Sequence, residues 1–307
     1  MQITPASLNF LFTQFHKDFD LGLANRTIFW PQLAERLPST TESNTYAWLA
    51  EIPGFREWIG PRVFHNLASR AYSIVNKDWE DGFTVSRNKI EDDQFGIYSR
   101  HAELLGDAAK ALWDNLVFDC LQAGSTTTAF DGQFFFDTDH PINLDDDSAG
   151  TYANLFTAKP ITPTNLAFLS NKMLAFKGES GRSLEIYPDL LVVPPSLALD
   201  AATAMAPVVA SNNAAIPNPL LAGIAGGRPM KVLVIPRLEN EPTVYYLLST
   251  TRLKPIILQV RKEPDFITRR DESLDNVFYR KEYEFGSDAR GAAGYGLPFT
   301  AIRAVTV

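Results

Sequence analysis

The sequence predicts an α+β fold, and three patterns along the chain support this class. A long amphipathic helix is predicted over residues 99–123, because apolar side chains recur at three- and four-residue spacing and Gly124 follows as a stop. Two extended runs flank Asp81-Gly82, a dipeptide typical of a two-residue β-turn. After residue 150, amphipathic helices alternate with short apolar runs that have the character of buried strands.

Residues 1–50 have the pattern of an N-terminal arm that contains one helix. Ser7 can cap this helix, and Gly22 ends its pattern. One stripe of the helix is aromatic and consists of Phe12, Phe15 and Phe19. We interpret this stripe either as core or as a surface that docks on another chain. Residues 36–46 are polar and predict a linker, and a short helical piece is predicted at 46–51.

A polar β-hairpin is predicted over residues 70–91. A turn at Asp81-Gly82 would place Glu80 opposite Phe83. The arms are rich in charged side chains, namely Lys77, Asp78, Glu80, Asp81, Arg87 and Lys89. Because an isolated two-stranded ribbon is marginal in water, this hairpin must lie on its own body or on another chain.

The second half of the chain is predicted to alternate between helices and strands. Helices are expected to begin near Thr164 and after Ser196, and residues 211–229 are expected to form a loop. The predicted strands are 190–193, 231–235, 243–248, 256–260 and 300–305. An extended region at 277–285 leads into a glycine-rich stretch at 286–296.

Composition and charge exclude several classes of protein. The chain has 307 residues, of which 45% are hydrophobic and 21% charged, so a largely disordered chain is excluded. The single cysteine, Cys120, excludes a disulfide framework, and its place on the apolar stripe of the long helix predicts a buried thiol. The net charge of −8 disfavours broad nucleic-acid binding. We find no membrane-spanning run and no secretory signal, so we expect a protein made in a cytoplasm.

The search for an active site finds one acidic cluster and no catalytic motif. Nucleotide-binding, zinc-protease and serine-hydrolase motifs are absent from the sequence. The cluster comprises Asp131, Asp137, Asp139, His140 and Asp145–Asp147. Three adjacent aspartates cannot all face one ion, so we interpret the cluster as turn chemistry, with a structural cation or catalysis as alternatives. We assign no catalytic residue, no cofactor and no metal ligand.

Several short segments along the chain together carry a family resemblance. They are Tyr46-Ala-Trp-Leu, Arg56-Glu-Trp58-Ile-Gly60-Pro-Arg62, Tyr72-Ser-Ile-Val-Asn-Lys77-Asp-Trp-Glu80, Ile90-Glu-Asp-Asp93-Gln-Phe-Gly96, Asp131-Gly132-Gln-Phe-Phe with His140-Pro141, and Tyr283-Glu-Phe-Gly286 with Gly294-Tyr-Gly-Leu-Pro298. In their order and spacing these segments resemble the Mu-like phage major head subunit family, gpT. The resemblance is densest over residues 46–141 and reaches the C-terminal end of the chain.

The resemblance implies the Hong Kong 97-type phage capsid fold. This fold has an N-terminal arm (N-arm), an extended E-loop, a P-domain with a long spine helix, and an A-domain. In these terms the expected division is 1–69 for the arm and linker, 70–97 for the E-loop hairpin, 98–149 and 251–290 for the P-domain, and 150–250 and 291–307 for the A-domain and C-terminal strand.

The resemblance also implies the function. Identical chains would form the hexamers and pentamers of an icosahedral shell, assembled in a bacterial cytoplasm and found in the virion. The shell would enclose double-stranded DNA without specific binding. A scaffold protein and a portal would take part in assembly, and a decoration protein is a further candidate partner. Because only a short arm precedes residue 50, a separate scaffold is expected.

Candidate residues for contact between subunits come from the arm, the linker and the predicted hairpin. They are Phe12, Phe15, Phe19, Arg56, Trp58, Arg62, Lys77, Asp78, Trp79, Glu80, Arg87 and Lys89. The alternatives are a non-viral compartment shell of the same fold, a metal-dependent enzyme that uses the loop at 131–147, and, ranked below these, another virion component.

Overall fold

The computed structural model describes residues 5–48, 70–92, 96–144, 146–178, 181–206, 208–209, 215–216, 218, 229–269 and 279–307. Its five helices within these ranges are α1 (Pro5–Asn25), α2 (Arg87–Asp92), α3 (Ile97–Gln122), α4 (Pro163–Leu174) and α5 (Ala198–Met205). None of the described helices combines the length and apolar character needed to cross a bilayer. The bounds of α3 confirm the long helix predicted at 99–123. The Thr162 hydroxyl accepts a hydrogen bond from the Asn165 amide and so begins α4 close to its predicted start.

Within the described residues, the strands divide between two larger sheets and three small pairs. In chain order they are β1 (Ala34–Pro38), β2 (Ser43–Trp48), β3 (Arg70–Val75), β4 (Lys77–Ser86), β5 (His140–Pro141), β6 (Thr151–Tyr152), β7 (Leu155–Phe156), β8 (Leu190–Val193), β9 (Val208–Val209), β10 (Ala215–Ile216), β11 (Lys231–Val234), β12 (Val244–Leu248), β13 (Ile256–Arg269), β14 (Glu282–Tyr295) and β15 (Ala301–Val305).

The first sheet has the order β1-β13-β14-β4 and packs one face on α3. Apolar side chains from α3 and from the sheet face that it covers belong to the largest buried cluster, which includes Trp113, Val117, Leu121, Leu258, Ala289 and Tyr295. The two central strands, β13 and β14, are each 14 residues long. This sheet and α3 form the rigid base from which the hairpin described below extends.

The second sheet has the order β11-β8-β12-β15-β7 and is covered on both faces. Leu191, Leu247 and Ile302 pack with α4 and α5 on one face. Leu190, Val192 and Tyr246 on the other face join the cluster that contains α3. Because both faces are buried, β8 is wholly apolar, as its sequence predicts.

The prediction of a β-hairpin over residues 70–91 is wrong. β4 runs straight through Asp81-Gly82, and Glu80 pairs with Asp288 on β14 instead of standing opposite Phe83. A side chain at Gly82 would place its Cβ 2.6 Å from the carbonyl oxygen of Phe285. Glycine at this position therefore allows β4 and β14 to approach closely. The long-range pairing of these strands overrides the local turn preference of Asp81-Gly82.

The true hairpin consists of β2 and β3, which pair antiparallel from Ser43 with Val75 to Trp48 with Arg70. This corrects two further predictions, the linker at 36–46 and the short helix at 46–51. Pairing of β1 with β13 and of β2 with β3 overrides the weak local preference of these polar residues. Residues 49–51 lie outside the described residues.

Most of the glycine-rich stretch at 286–296 belongs to β14, which ends at Tyr295. Glycine fits this strand because both faces of the sheet are crowded. A Cβ at Gly291 would lie 3.0 Å from the Trp113 ring, and one at Gly294 would lie 2.4 Å from Ile74 Cδ1. The predicted final strand is confirmed as β15. Most of the loop predicted at 211–229 lies outside the described residues.

Candidate assembly surfaces

The hairpin of β2 and β3 is rooted on both edges of the first sheet. β1 leads into β2, and β3 leads into β4, so the two legs of the hairpin come from opposite edges. The base lies on one row that crosses the sheet and consists of Pro38, Val260, Gly291 and Lys77. The hairpin thus spans the central strands.

The hairpin covers the sheet face opposite α3. Ile256, Leu258 and Val260 belong to the cluster on the α3 side, whereas the alternate residues Ile257 and Gln259 contact the hairpin. Its apolar contact is small and comprises Ile74, Ile257 and Ala292, with Leu37, Tyr46 and Tyr72 packed around them. Burial raises the pKa of both Tyr46 and Tyr72.

The outward side of the hairpin is open to solvent. Val75 is 54% exposed, and the hydroxyl groups of Thr45 and Ser73 lie 2.9 Å apart on the exposed surface. Residues 49–69 connect the two strands and contain Arg56, Trp58 and Arg62, which lie outside the described residues. These three side chains remain predicted contact candidates.

β4 places the next group of candidates along a sheet edge. Within the described ranges β14 is the one strand that pairs with β4, so the other edge of β4 is open. Lys77, Asp78 and Glu80 are exposed, and Asp78 lies 3.1 Å from the Arg290 guanidinium. The unpaired backbone groups on such an edge can pair with another strand, whereas its charged side chains oppose unspecific pairing.

Trp79 and the residues of α2 have different surroundings. Trp79 donates a hydrogen bond from Nε1 to the Gly291 carbonyl at 3.0 Å and is half-buried. It lines a hollow of about 110 Å³, together with Leu105, Ala109 and Leu112. Arg87 begins α2 and is partly buried, and Lys89 on the same helix is exposed.

Phe12, Phe15 and Phe19 are buried in the chain itself, which corrects their assignment as contacts between subunits. All three are less than 5% exposed and pack against Phe266, Tyr283 and Phe285. The helix was predicted to end at Gly22, but α1 continues to Asn25. Its backbone lies directly on α3 at this point. A Cβ at Gly22 would be 2.0 Å from the Glu103 carbonyl oxygen, and one at Gly106 would be 2.1 Å from that of Phe19.

The connection between α1 and β1 is fixed by polar contacts. The buried Asp114 accepts hydrogen bonds from the backbone amides of Phe29 and Trp30, at 3.0 and 2.8 Å. Arg26 forms an ion pair with Asp107 on α3. Together with the aromatic cluster, these contacts hold the arm on its own chain.

The acidic loop uses its described carboxylates locally. Asp131 contacts buried His140 with Oδ2 2.6 Å from Nδ1, and Asp137 accepts a hydrogen bond from the Thr138 amide at 2.7 Å. Asp146 accepts from the hydroxyl and the amide of Ser148, which lowers the pKa of its carboxyl. In the part of the chain that the structure describes, no three His, Cys, Asp or Glu side chains form a group that could hold a metal ion.

Asn154 ties this loop to the rest of the chain. Its side-chain amide donates to the carbonyls of Phe135 and Pro298, at 2.8 and 3.0 Å. Its oxygen accepts from the Asp137 amide at 2.8 Å and lies 3.2 Å from Nε2 of His140. These contacts agree with the structural interpretation of the cluster.

Cys120 is partly buried and packs against the largest apolar cluster, so it is less enclosed than the sequence predicts. Burial raises its pKa to about 12, so the thiolate that a nucleophile requires is disfavoured. The neighbouring Tyr295 donates its hydroxyl to the Cys120 carbonyl at 2.9 Å.

The residues that hold the hairpin, above all Asn76 and Gln259, were not predicted from the sequence. Gln259 is the one amide in the apolar run Ile256-Ile-Leu-Gln-Val, and it is fully buried. Such a break in a buried strand indicates a specific polar partner, although it does not identify that partner.

The fold as a whole is that of a phage shell subunit. The procapsid chain of bacteriophage JBD30 matches with a TM-score of 0.58 and 31% sequence identity, over 99% of this chain and 76% of that chain. The protein therefore has the phage capsid fold of the Hong Kong 97 type that its sequence predicts.

Sequence comparison identifies the particular family. A family model described as Mu-like prophage major head subunit gpT matches residues 8–160, 155–220 and 229–306. The chain is 33% identical to the Mu-like prophage FluMu major head subunit of Haemophilus influenzae, over 96% of this chain and 72% of that protein. It is 29% identical to the major capsid protein of Escherichia phage Mu, over 97% and 73%. The chain belongs to the gpT family and is a major capsid protein of a phage head.

Proposed function

We propose that copies of this chain form the hexamers and pentamers of an icosahedral shell that encloses double-stranded DNA. The observation that carries this proposal is the hairpin, whose strands cross the first sheet with few apolar contacts and an open outer side. Residues 49–69 at its end contain Arg56, Trp58 and Arg62, which suit contact with a neighbouring subunit. We assign the E-loop to β2, β3 and the segment between them.

The open edge of β4 supports a second contact between copies. Its exposed Lys77, Asp78 and Glu80 are available to a neighbour, whereas the arm is packed on its own chain. Several modest contacts per subunit would add up in a closed shell. The first sheet with α3 would be the P-domain, and the second sheet with α4 and α5 the A-domain.

Enclosure of DNA without specific binding agrees with the net charge of −8. A negatively charged inner wall would repel phosphate groups and leave the genome free to enter and leave. A scaffold, a portal and a decoration protein are the further partners that we propose, with assembly in the bacterial cytoplasm and final location in the virion.

The test is expression of the full chain, alone and together with the other head genes of its phage. We expect closed particles by electron microscopy and fast-sedimenting species by ultracentrifugation. Replacing residues 49–69 with a Gly-Ser linker should abolish particles, while the unassembled variant still unfolds cooperatively in urea. A Gln32→Leu variant, changed at an exposed position away from the hairpin, is the control. A chain that stays monomeric even with the other head proteins would refute the proposal.

A further inference from the structure

A buried polar network joins the hairpin to the centre of the first sheet. Gln259 on β13 is 0% exposed, and Asn76 and Ser39 are each 6% exposed. The Gln259 amide donates to the Ile74 carbonyl at 3.2 Å and to Asn76 Oδ1 at 2.7 Å. Its oxygen accepts from the Tyr46 hydroxyl at 2.9 Å. One side chain of the sheet thus bonds to both strands of the hairpin and to its base.

Asn76 extends the network to the other leg of the hairpin. Its side-chain amide donates to Ser39 Oγ and to the Thr41 carbonyl, both at 2.8 Å. Its backbone amide donates to the Glu42 carbonyl at 2.9 Å and closes the base. The two legs are therefore connected to each other and to Gln259 by hydrogen bonds with defined directions.

The apolar contact beneath the hairpin is too small to define its position. Among the residues that the structure describes it has three buried members, Ile74, Ile257 and Ala292, whereas the cluster that includes the other face of the sheet and part of the second sheet has 22. Apolar burial is not directional, so a small contact of this kind tolerates sliding. Hydrogen bonds weaken steeply when their distance or angle changes. A shift of the hairpin by one residue would break all three contacts of Gln259.

An amide at this position also has an energetic cost that an apolar residue would avoid. A buried polar group without a partner destabilises the folded chain, because it has lost its hydrogen bonds to water. The neighbours of Gln259 along β13, Leu258 and Val260, are apolar and buried. Buried polar groups of this kind can specify one arrangement at some expense of stability.

We propose that Gln259 is a positioning residue, which fixes the register and direction of the hairpin on the first sheet. In the assembled shell it therefore determines where residues 49–69 meet the neighbouring subunit. Only this last consequence rests on the proposed function, because the position of the hairpin is a property of the single chain.

The test is hydrogen exchange by mass spectrometry on the unassembled Gln259→Leu chain. We expect exchange in β2 and β3 to rise about tenfold or more, since up to three hydrogen bonds of roughly 0.5–1.5 kcal/mol are lost. Exchange in β13 and β14 should stay unchanged, which a general loss of stability would not allow. The control is Gln32→Leu, the same change at an exposed position.

A second variant keeps the test informative if the Gln259→Leu chain does not fold. Tyr46→Phe removes one hydroxyl and should raise exchange in β2 and β3 by a smaller factor of about threefold. In the double variant the effect of Tyr46→Phe should be smaller than in the single variant, because the Gln259 oxygen that the hydroxyl contacts is already absent. Unchanged exchange in the hairpin of folded Gln259→Leu or Tyr46→Phe protein would overturn the proposal, and so would equal acceleration throughout the sheet.

Assembly of the same variants separates this inference from the proposed function. With the other head proteins present, Gln259→Leu chains should give particles of mixed diameter by electron microscopy, whereas Gln32→Leu chains should give uniform ones. If the hairpin exchanges faster but particles stay uniform, Gln259 positions the hairpin and the proposed role of the hairpin between subunits is refuted.

Discussion

Asn154 shows how one side chain can connect distant parts of this protein. It is fully buried and bonds to the acidic loop and to Pro298, which lies between β14 and β15. Its amide donates to two backbone carbonyls, and its oxygen faces the Asp137 amide and the His140 ring. The loss of this side chain would leave several of them without a partner.

We therefore predict that Asn154→Ala lowers the free energy of unfolding by about 2–4 kcal/mol, as expected for several unsatisfied buried groups. The measurement is urea unfolding of the unassembled chain. Asn88→Ala changes an exposed residue of α2 and should leave the unfolding midpoint in place. Equal stability of the two variants would contradict this account of Asn154.

Individual residues were predictable where their chemistry acts locally. Asp137 and Asp146 bond to amides within two residues, as the turn interpretation requires. Asp131 and His140 are nine positions apart, and nothing in their spacing predicts that they meet in the interior. The same limit explains Asp81-Gly82, because the partner strand β14 is about two hundred residues away in the chain.

The contact between α1 and α3 depends on glycine in each helix. Gly22 and Gly106 let the two backbones come so close that a methyl group on either would overlap a carbonyl of the other helix. This close crossing brings Phe15 and Phe19 onto the aromatic side chains of the first sheet.

Gly106→Ala is predicted to destabilise the chain by about 1–3 kcal/mol, because the overpacked helices must separate. In an exposed helix the same change would stabilise by about 1 kcal/mol, so the sign of the effect distinguishes the two cases. Thermal unfolding gives the sign, and limited proteolysis should show faster cleavage within residues 5–25. A rise in melting temperature would disprove the close crossing.

The elements that the sequence predicted well are those with a long periodic pattern. α3, α4 and β8 lie close to their predicted positions because their apolar spacing reports the face that is buried. The stripe of Phe12, Phe15 and Phe19 was equally clear, but periodicity does not say whether its partner belongs to the same chain. β2 is short and polar, and a window around Tyr46 does not distinguish a strand from a helix turn.

Buried phenols connect the stability of the whole molecule to pH. Burial raises the pKa of several tyrosines above the ordinary value of 10.0 and that of Cys120 above 9.0; the tyrosines are Tyr152, Tyr245, Tyr246 and Tyr295. The unfolded chain releases these protons at the ordinary values, whereas the folded chain retains them. Unfolding is therefore favoured as the pH rises above the ordinary pKa values of the cysteine and the tyrosines.

We predict that the urea midpoint of the unassembled chain stays level through neutral pH and falls above about pH 9–10. Tyrosinate absorbance should appear together with the loss of circular dichroism, because the buried phenols ionise on unfolding. A midpoint that does not change up to about pH 11 would show that these phenols ionise as freely in the folded chain as in the unfolded one.

The attachment of the hairpin has a mechanical consequence. Its legs enter the first sheet at Pro38 and Lys77, on opposite margins but on the same row. Tension on the distal end is therefore divided between two strands. β1 is hydrogen-bonded to β13, and β4 is hydrogen-bonded to β14. A load on the hairpin therefore reaches all four strands of the sheet, because each edge strand is hydrogen-bonded to a central one.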